Sequence, residues 1–310
     1  MNTPQYGQYA QYAPRQERCP RHPDQYAVGY CKRCNRPACG QCAIPTEVSI
    51  LCRECHRENQ RAARSFGLFV TGNSRASAGG GIAGALRTYP VVSALTIINV
   101  LMWLIGLATG KNSLVEPLAY MPLVAVTEPW RLFTAAFLHA GFFHLFFNMI
   151  MLVVMGRLLE RTMGHARFVA LYLLSAIGGN LFVGIWALII QNSMWAYTVG
   201  ASGALYGIMG ALLVSMKQLN LPTTSLVVLI GVNLIYGILM PGVSWEAHVG
   251  GLGFGALTCA AFVWAAKSSR KTFGRTNTRN AILAGVAVLV IEILVLAATD
   301  LVLKSQYPFL

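Results

Sequence analysis

From residue 89 onward the chain alternates long apolar runs with short polar breaks. Seven runs are long enough to be read as spans, at about 91–109, 143–160, 167–190, 201–217, 223–240, 246–266 and 281–303. About 20 apolar residues cross a hydrocarbon core as a helix, so the second and fourth runs sit near the short limit. The first 88 residues have a different pattern. Residues 1–17 are rich in Tyr, Gln, Pro and Ala with no periodic apolar face, which predicts a disordered tail. Residues 18–60 concentrate cysteine, and residues 61–88 are a Gly/Ser/Ala-rich linker with short apolar patches. The pattern therefore predicts four segments: a tail (1–17), a cysteine-rich module (18–60), a linker (61–88) and a polytopic all-α membrane domain (89–310).

Composition sharpens this division. The chain is 55% hydrophobic and only 11% charged, whereas soluble domains carry about 25% charged residues. The polar N-terminus has no apolar stretch of the secretory-signal type. The net charge of +13 would suit nucleic acid only if it were gathered on one surface. Instead, the basic residues of the membrane domain cluster in alternate breaks, so no nucleic-acid partner is expected. Arg157, Arg161 and Arg167 lie between spans two and three, and Lys217 follows span four. Lys267, Arg270, Lys271, Arg275 and Arg279 lie between spans six and seven. The break after span three carries no charge, and the break after span five has only Glu246. By the positive-inside rule this alternation predicts a cytoplasmic N-terminus and an external C-terminus, in what is expected to be a bacterial cell membrane.

Seven of the eight cysteines lie in the N-terminal module, in four pairs: Cys19-x2-His22, Cys31-x2-Cys34, Cys39-x2-Cys42 and Cys52-x2-Cys55. Two residues between ligands let both side chains turn toward one ion, and eight ligands fill two tetrahedral zinc sites. A disulfide framework is the poorer reading, because seven is odd and His22 occupies a ligand position. Thiolate ligands persist in a reducing compartment, which again places this module in the cytoplasm. A module of this size has a thin core, so metal binding is expected to supply much of its folding energy. The stretch resembles a B-box-type zinc finger. That resemblance implies a cross-braced arrangement, with Cys19, His22, Cys39 and Cys42 on one zinc. Cys31, Cys34, Cys52 and Cys55 hold the second, with His56 an alternative to Cys55.

Within the spans, a few polar residues share one depth. Ser202 opens span four in the run Gly200-Ala201-Ser202-Gly203, with Tyr206 one turn on. His144 and Asn148 enter span two at i, i+4, on one helix face. His248 enters span six, followed by Gly251 and Gly255. All three spans begin on the external side under the predicted orientation, so these groups form one outer layer. Polar groups in spans are costly and tend to face protein interior or a water-filled cavity. Small residues on spans four and six permit close approach of the two helices, and such a seam would bring His248 to Ser202. A serine needs a base to act as a nucleophile, and His248 can supply one. No carboxylate is spaced to orient the histidine, so a two-residue dyad is expected. Ser202 N–H, His144 and Asn148 are suitable donors to a developing oxyanion. The short loop 240–247 is a candidate lid.

Residues 89–303 resemble the rhomboid family of intramembrane serine proteases. The resemblance is carried by Trp130-Arg131, His139, His144-x3-Asn148, Gly200-Ala201-Ser202-Gly203 with Tyr206, and Ala247-His248-x2-Gly251-x3-Gly255. It implies a six-helix core plus a seventh C-terminal helix, and cleavage of single-pass transmembrane substrates near the outer face without a catalytic cofactor. It also implies Ser202 as nucleophile, His248 as base, and His144 and Asn148 at the oxyanion. Tyr206 would stack on His248, Gly251 and Gly255 would pack span six on span four, and Trp130 and Arg131 would shape the first loop. The alternative is a catalytically silent relative that binds client transmembrane helices. The expected partners are membrane lipid and substrate helices. A protein partner of the zinc module remains open.

Overall fold

A computed structural model describes residues 17–45, 49–58, 60, 82–110, 112–219, 221–269 and 278–306. The chain divides into two compact units, Met1–Thr71 and Gly72–Leu310. The expected tail over 1–17 lies almost wholly outside the described residues, as does most of the expected linker. The linker's last stretch is helical, at Ile82–Thr88.

Among its described residues the first unit has three two-stranded antiparallel pairings, followed by a helical turn over 53–58. β1 (Arg18–Cys19) pairs with β2 (His22–Tyr26), β3 (Gly29–Tyr30) with β4 (Pro37–Ala38), and β5 (Ala43–Pro45) with β6 (Ile50–Cys52). None has a wide apolar face. Its buried positions are mostly the cysteines themselves, with Ala38 and Leu51 beside them.

In the second unit each of the seven apolar runs becomes a helix: α1 (Pro90–Thr109), α2 (Phe142–Met163), α3 (His165–Ala187), α4 (Ser202–Gln218), α5 (Thr224–Leu239), α6 (Trp245–Ser269) and α7 (Thr278–Gln306). Five are long and apolar enough to cross a membrane. The others, α4 and α5, have 17 and 16 residues. The architecture is a rhomboid-like polytopic helical membrane fold. Many large apolar side chains lie on its outer surface, among them Leu101, Phe147, Val232 and Leu294. Such a surface requires lipid around it.

Helix α4 is the axis of the bundle, and every residue from Gly203 to Leu212 is buried. Its neighbours are chiefly α6 and α3, and glycines bring the three together. A Cβ at Gly179 of α3 would lie 2.9 Å from the Ala247 carbonyl oxygen of α6, and one at Gly207 would lie 3.0 Å from that of Gly251. At Gly250 it would stand 2.6 Å from the Gly178 oxygen of α3. The seam expected between α4 and α6 is therefore present, with α3 as a third wall. Helix α5 touches its neighbours along a narrow stripe, where Leu226, Ile230 and Gly237 are buried. Helix α7 leans on α6 and α3 through Ala284, Val288, Glu292 and Thr299.

Helix α1 starts at Pro90, and Tyr89 ahead of it offers no side-chain cap. The cap comes from α2: the buried Glu160 carboxylate accepts the N–H groups of Val91 and Val92, both at 2.9 Å. Orphan amides at a helix start carry partial positive charge, which an anion satisfies. His165 Nδ1 lies 2.7 Å from the same carboxylate. Within α2, residues Leu152–Gly156 form a π-helical turn just ahead of the stretch that carries Glu160.

The segment between α1 and α2 is pinned by its own polar residues. Arg131 Nη1 donates to the Ala119 carbonyl at 2.9 Å and its Nε to Glu128. Trp130 Nε1 donates to Pro117 O at 3.0 Å. The backbones of Tyr120 and Thr198 exchange two hydrogen bonds of 3.1 and 2.8 Å. This ties the segment to the approach to α4.

Candidate active site

Helix α4 begins at Ser202. Gly200, two residues earlier, takes φ +128, a conformation that side chains disfavour. Its N–H is held by the Ala135 carbonyl at 2.9 Å. A Cβ at this glycine would lie 2.7 Å from His144 Cε1 and 2.8 Å from His144 Nε2. The bare backbone at Gly200 therefore makes room for the His144 ring beside the serine.

From α6, His248 is buried to 7% exposure, and its Nε2 lies 3.0 Å from Ser202 Oγ. Tyr206, one turn into α4, stacks on the His248 ring with centroids 4.2 Å apart and planes 10° from parallel. The Tyr206 hydroxyl has no hydrogen-bond partner among the described residues, so the ring face makes the contact. His248 Nδ1 likewise has no partner among them. Gly237 of α5 backs that nitrogen, where a Cβ would come within 3.3 Å. Glu246 accepts from Ser244 Oγ at 3.2 Å.

His144 and Asn148 share the face of α2 toward the serine. The Ala140 N–H donates to His144 Nδ1 at 3.4 Å, which leaves Nε2 as the protonated nitrogen of a neutral ring. Asn148 Nδ2 donates to the His144 carbonyl at 2.7 Å, and its Oδ1 is buried without a partner among the described residues. His139 meets His144 edge-on at 5.1 Å. Burial first, and the adjacent His144 second, push His139 down to about 3, so a neutral ring packs behind His144.

A cavity of about 450 Å³ joins these groups. Ser202, His248, His144, Asn148 and Tyr206 line it, as do Pro241–Ser244 of the expected lid. The structure thus brings together Ser202, His248, His144, Asn148, Tyr206 and Gly200, while Gly203, Gly251 and Gly255 lie in the seam behind them. Sequence reasoning missed Gly178, Gly179, Gly237 and Gly250. The tight positions on α3 read as ordinary glycines within an apolar span, and Gly237 has no spacing to a site residue. It also missed Asn233 and Tyr236 of α5, which line the cavity.

In the N-terminal unit two clusters form: Cys19, His22, Cys39 and Cys42, and Cys31, Cys34, Cys52 and Cys55. Within each, the ligand atoms all lie within 4.8 Å of one another. His22 Nδ1 is 3.3 Å from both Cys39 Sγ and Cys42 Sγ, and Cys34 Sγ is 3.7 Å from Cys52 Sγ. A tetrahedral ion with metal–sulfur bonds of about 2.3 Å sets sulfurs about 3.8 Å apart, so the donor set fits a metal. His56 is outside both clusters, with its Nε2 2.8 Å from Gln60 Nε2.

Comparison with known proteins agrees with this architecture. Residues 126–265 match the Rhomboid domain model. RHOMBOID-like protein 6, mitochondrial, of Arabidopsis thaliana is 39% identical over 142 residues, covering 44% of this chain and 44% of its own length. Rhomboid protease GluP of Bacillus subtilis (strain 168) is 36% identical over 145 residues, or 45% of this chain and 27% of its own length. RHOMBOID-like protein 2 of Arabidopsis thaliana is 32% identical over 191 residues, 57% of each chain. The chain spans less than two thirds of the length of each of these relatives. The matched stretch of 126–265 runs from the loop before α2 almost to the end of α6, so the match takes in the helices that bear His144, Ser202 and His248.

Proposed function

We propose that this chain is an intramembrane serine endopeptidase that cleaves transmembrane-helix substrates near the outer membrane face. The observation that carries this reading is the 3.0 Å approach of His248 Nε2 to Ser202 Oγ inside an open cavity. With the ring proton on Nδ1, Nε2 accepts the Ser202 hydroxyl proton as Oγ bonds to the scissile carbonyl carbon. The carbonyl oxygen becomes an oxyanion, toward which the Ser202 N–H, the His144 Nε2–H and the free hydrogen of Asn148 Nδ2 serve as donors. Collapse breaks the C–N bond, and His248 returns the proton to the leaving amine. Water then repeats the sequence on the acyl-enzyme. Tyr206 restrains the imidazole through both steps, and residues 240–247 cover the cavity.

The finer assignments belong to the same proposal. The cysteine-rich module spans 18–60 and the membrane protease domain 89–310. The N-terminus faces the cytoplasm of a bacterial cell, supported by the alternation of basic breaks. Two zinc ions bind the two clusters of the N-terminal module in a B-box-type cross-brace. The thiolates and His22 would hold them, and the metal would supply folding energy there and take no part in proteolysis.

The test is co-expression with a model single-pass membrane substrate, in parallel with Ser202→Ala and His248→Ala. Fragments made by wild type and absent from both variants are expected. The same fragments from all three would refute the protease. Capture of the substrate without cleavage by wild type would favour the silent client-binding alternative. Metal analysis of the full chain is expected to give about two zinc per chain, and a metal-free preparation that keeps its N-terminal fold would refute the zinc assignment.

A further inference from the structure

A second cavity, of about 630 Å³, lies away from Ser202, bounded by the turn between α2 and α3 and by α3, α6 and α7. Its walls are apolar, with Leu174 and Ile177 from α3, Phe262 from α6 and Ile282 from α7. Gly285 keeps the α7 side low, since a Cβ there would touch the Phe262 ring at 3.6 Å. Along α3 the lining extends from Ala166 to Ile177, about 16 Å of helix at 1.5 Å per residue. That is roughly half of a 30 Å hydrocarbon core, the depth of one leaflet.

The charged mouth of this groove separates it from an ordinary lipid-facing furrow. His165 and Arg167 line the end at the α2–α3 turn. His165 is already engaged by Glu160. Arg167 is half-buried and has no hydrogen-bond or ion-pair partner among the described residues. Arg157, which lies over the Tyr89 ring, and the exposed Arg161 add positive charge to the same turn. The nearby Glu160 carboxylate is consumed by the α1 amides and His165. A half-desolvated guanidinium without a counter-ion favours an anion, and its planar fork matches phosphate.

We propose that this groove holds an acyl chain of an anionic phospholipid, with the lipid phosphate on Arg167. The site lies in the leaflet opposite the serine cavity. It tethers the α2–α3 turn and the start of α7 to one lipid.

Native mass spectrometry of the full chain in non-ionic detergent tests this, with titration of phosphatidylglycerol, diacylglycerol and glycerol phosphate. One retained phosphatidylglycerol per chain is expected, held about tenfold more tightly than diacylglycerol, which has the chains without the phosphate; tenfold is the scale of one good charge-assisted contact. Glycerol phosphate, which lacks the chains, should not be retained. Arg167→Gln should lower phosphatidylglycerol retention to the diacylglycerol level, and Arg167→Lys should restore part of it. Gly285→Leu, which fills the groove, should lower retention of both lipids. Arg167 is at the bundle's rim, so its variants are expected to keep wild-type helicity even if the groove variant does not. Equal retention of the two lipids, an unchanged Arg167→Gln, or a lipid-free dimer whose interface displaces lipid would each overturn the proposal.

Discussion

Gly251 of α6 lies directly against the Gly203 carbonyl of α4, so closely that a Cβ on Gly251 would overlap it. This contact lies beside the pair, since Gly203 follows Ser202 and Gly251 is three residues on from His248. It sets how far apart the two helices, and so the two side chains, can be. Gly251→Ala should force the helices apart, costing about 1–3 kcal/mol of stability. Cleavage should fall about 100-fold, the effect of displacing a catalytic pair by roughly 1 Å. Gly253 on the same helix has open space beside it, so Gly253→Ala should leave both unchanged. Turnover of a membrane substrate, read beside thermal unfolding, checks the pair. Equal rates for the two variants would show that the seam does not set the geometry.

Tyr206 contacts His248 by its ring face while its hydroxyl has no partner among the described residues. Tyr206→Phe should therefore cleave within about twofold of wild type. Tyr206→Leu, which keeps bulk and loses the stacked face, should cost up to about 1.5 kcal/mol, roughly tenfold in rate. If the Phe variant is as slow as the Leu variant, the hydroxyl carries the role instead.

Gly200 joins an unusual backbone angle to the near contact with His144. Gly200→Ala adds strain of about 1–3 kcal/mol and pushes the histidine from its place. The expected loss of kcat is about 100-fold, similar to that of His144→Ala, since each removes one oxyanion donor. Combining the two changes should add little, because both act on one ring. Full additivity in the double variant would mean that Gly200 acts by another route.

Glu160 replaces the missing cap of α1 from a distance of 69 residues in sequence. Glu160→Ala would leave two amides without their acceptor, with a cost of about 3 kcal/mol. Thermal unfolding should reveal that loss, and His165→Ala, with its half-exposed ring, should show much less. A Glu160→Ala protein that melts with wild type would refute the cap.

The helices were legible because a membrane span must be apolar along its length, and the runs ended within a few residues of the observed termini. The gathering of the candidate site's residues was legible for a different reason. Ser202, His144, Asn148 and His248 are polar residues where polarity is expensive, so each stood out against its span. Glycines do not stand out in this way. Gly179 and Gly250 make some of the closest approaches in the bundle, yet on α3 and α6 they look like any other small residue. The π-helical turn at Leu152–Gly156 had no signal either, nor did the close packing of Gly156 against Val92 and Phe168 of other helices. The cap from Glu160 could not be seen because sequence gives charge and position, but not which helix end an acid will face.

Helix α4 is 17 residues long, or about 26 Å, while a typical hydrocarbon core measures about 30 Å. The helix that opens with Ser202 is therefore shorter than the layer around the bundle, and its neighbours are other helices rather than lipid, so the shortfall places its serine end below the membrane surface, where the cavity opens. In the proposed reaction, the length of α4 thus helps set how deep below the headgroups a peptide bond would lie when the serine reaches it.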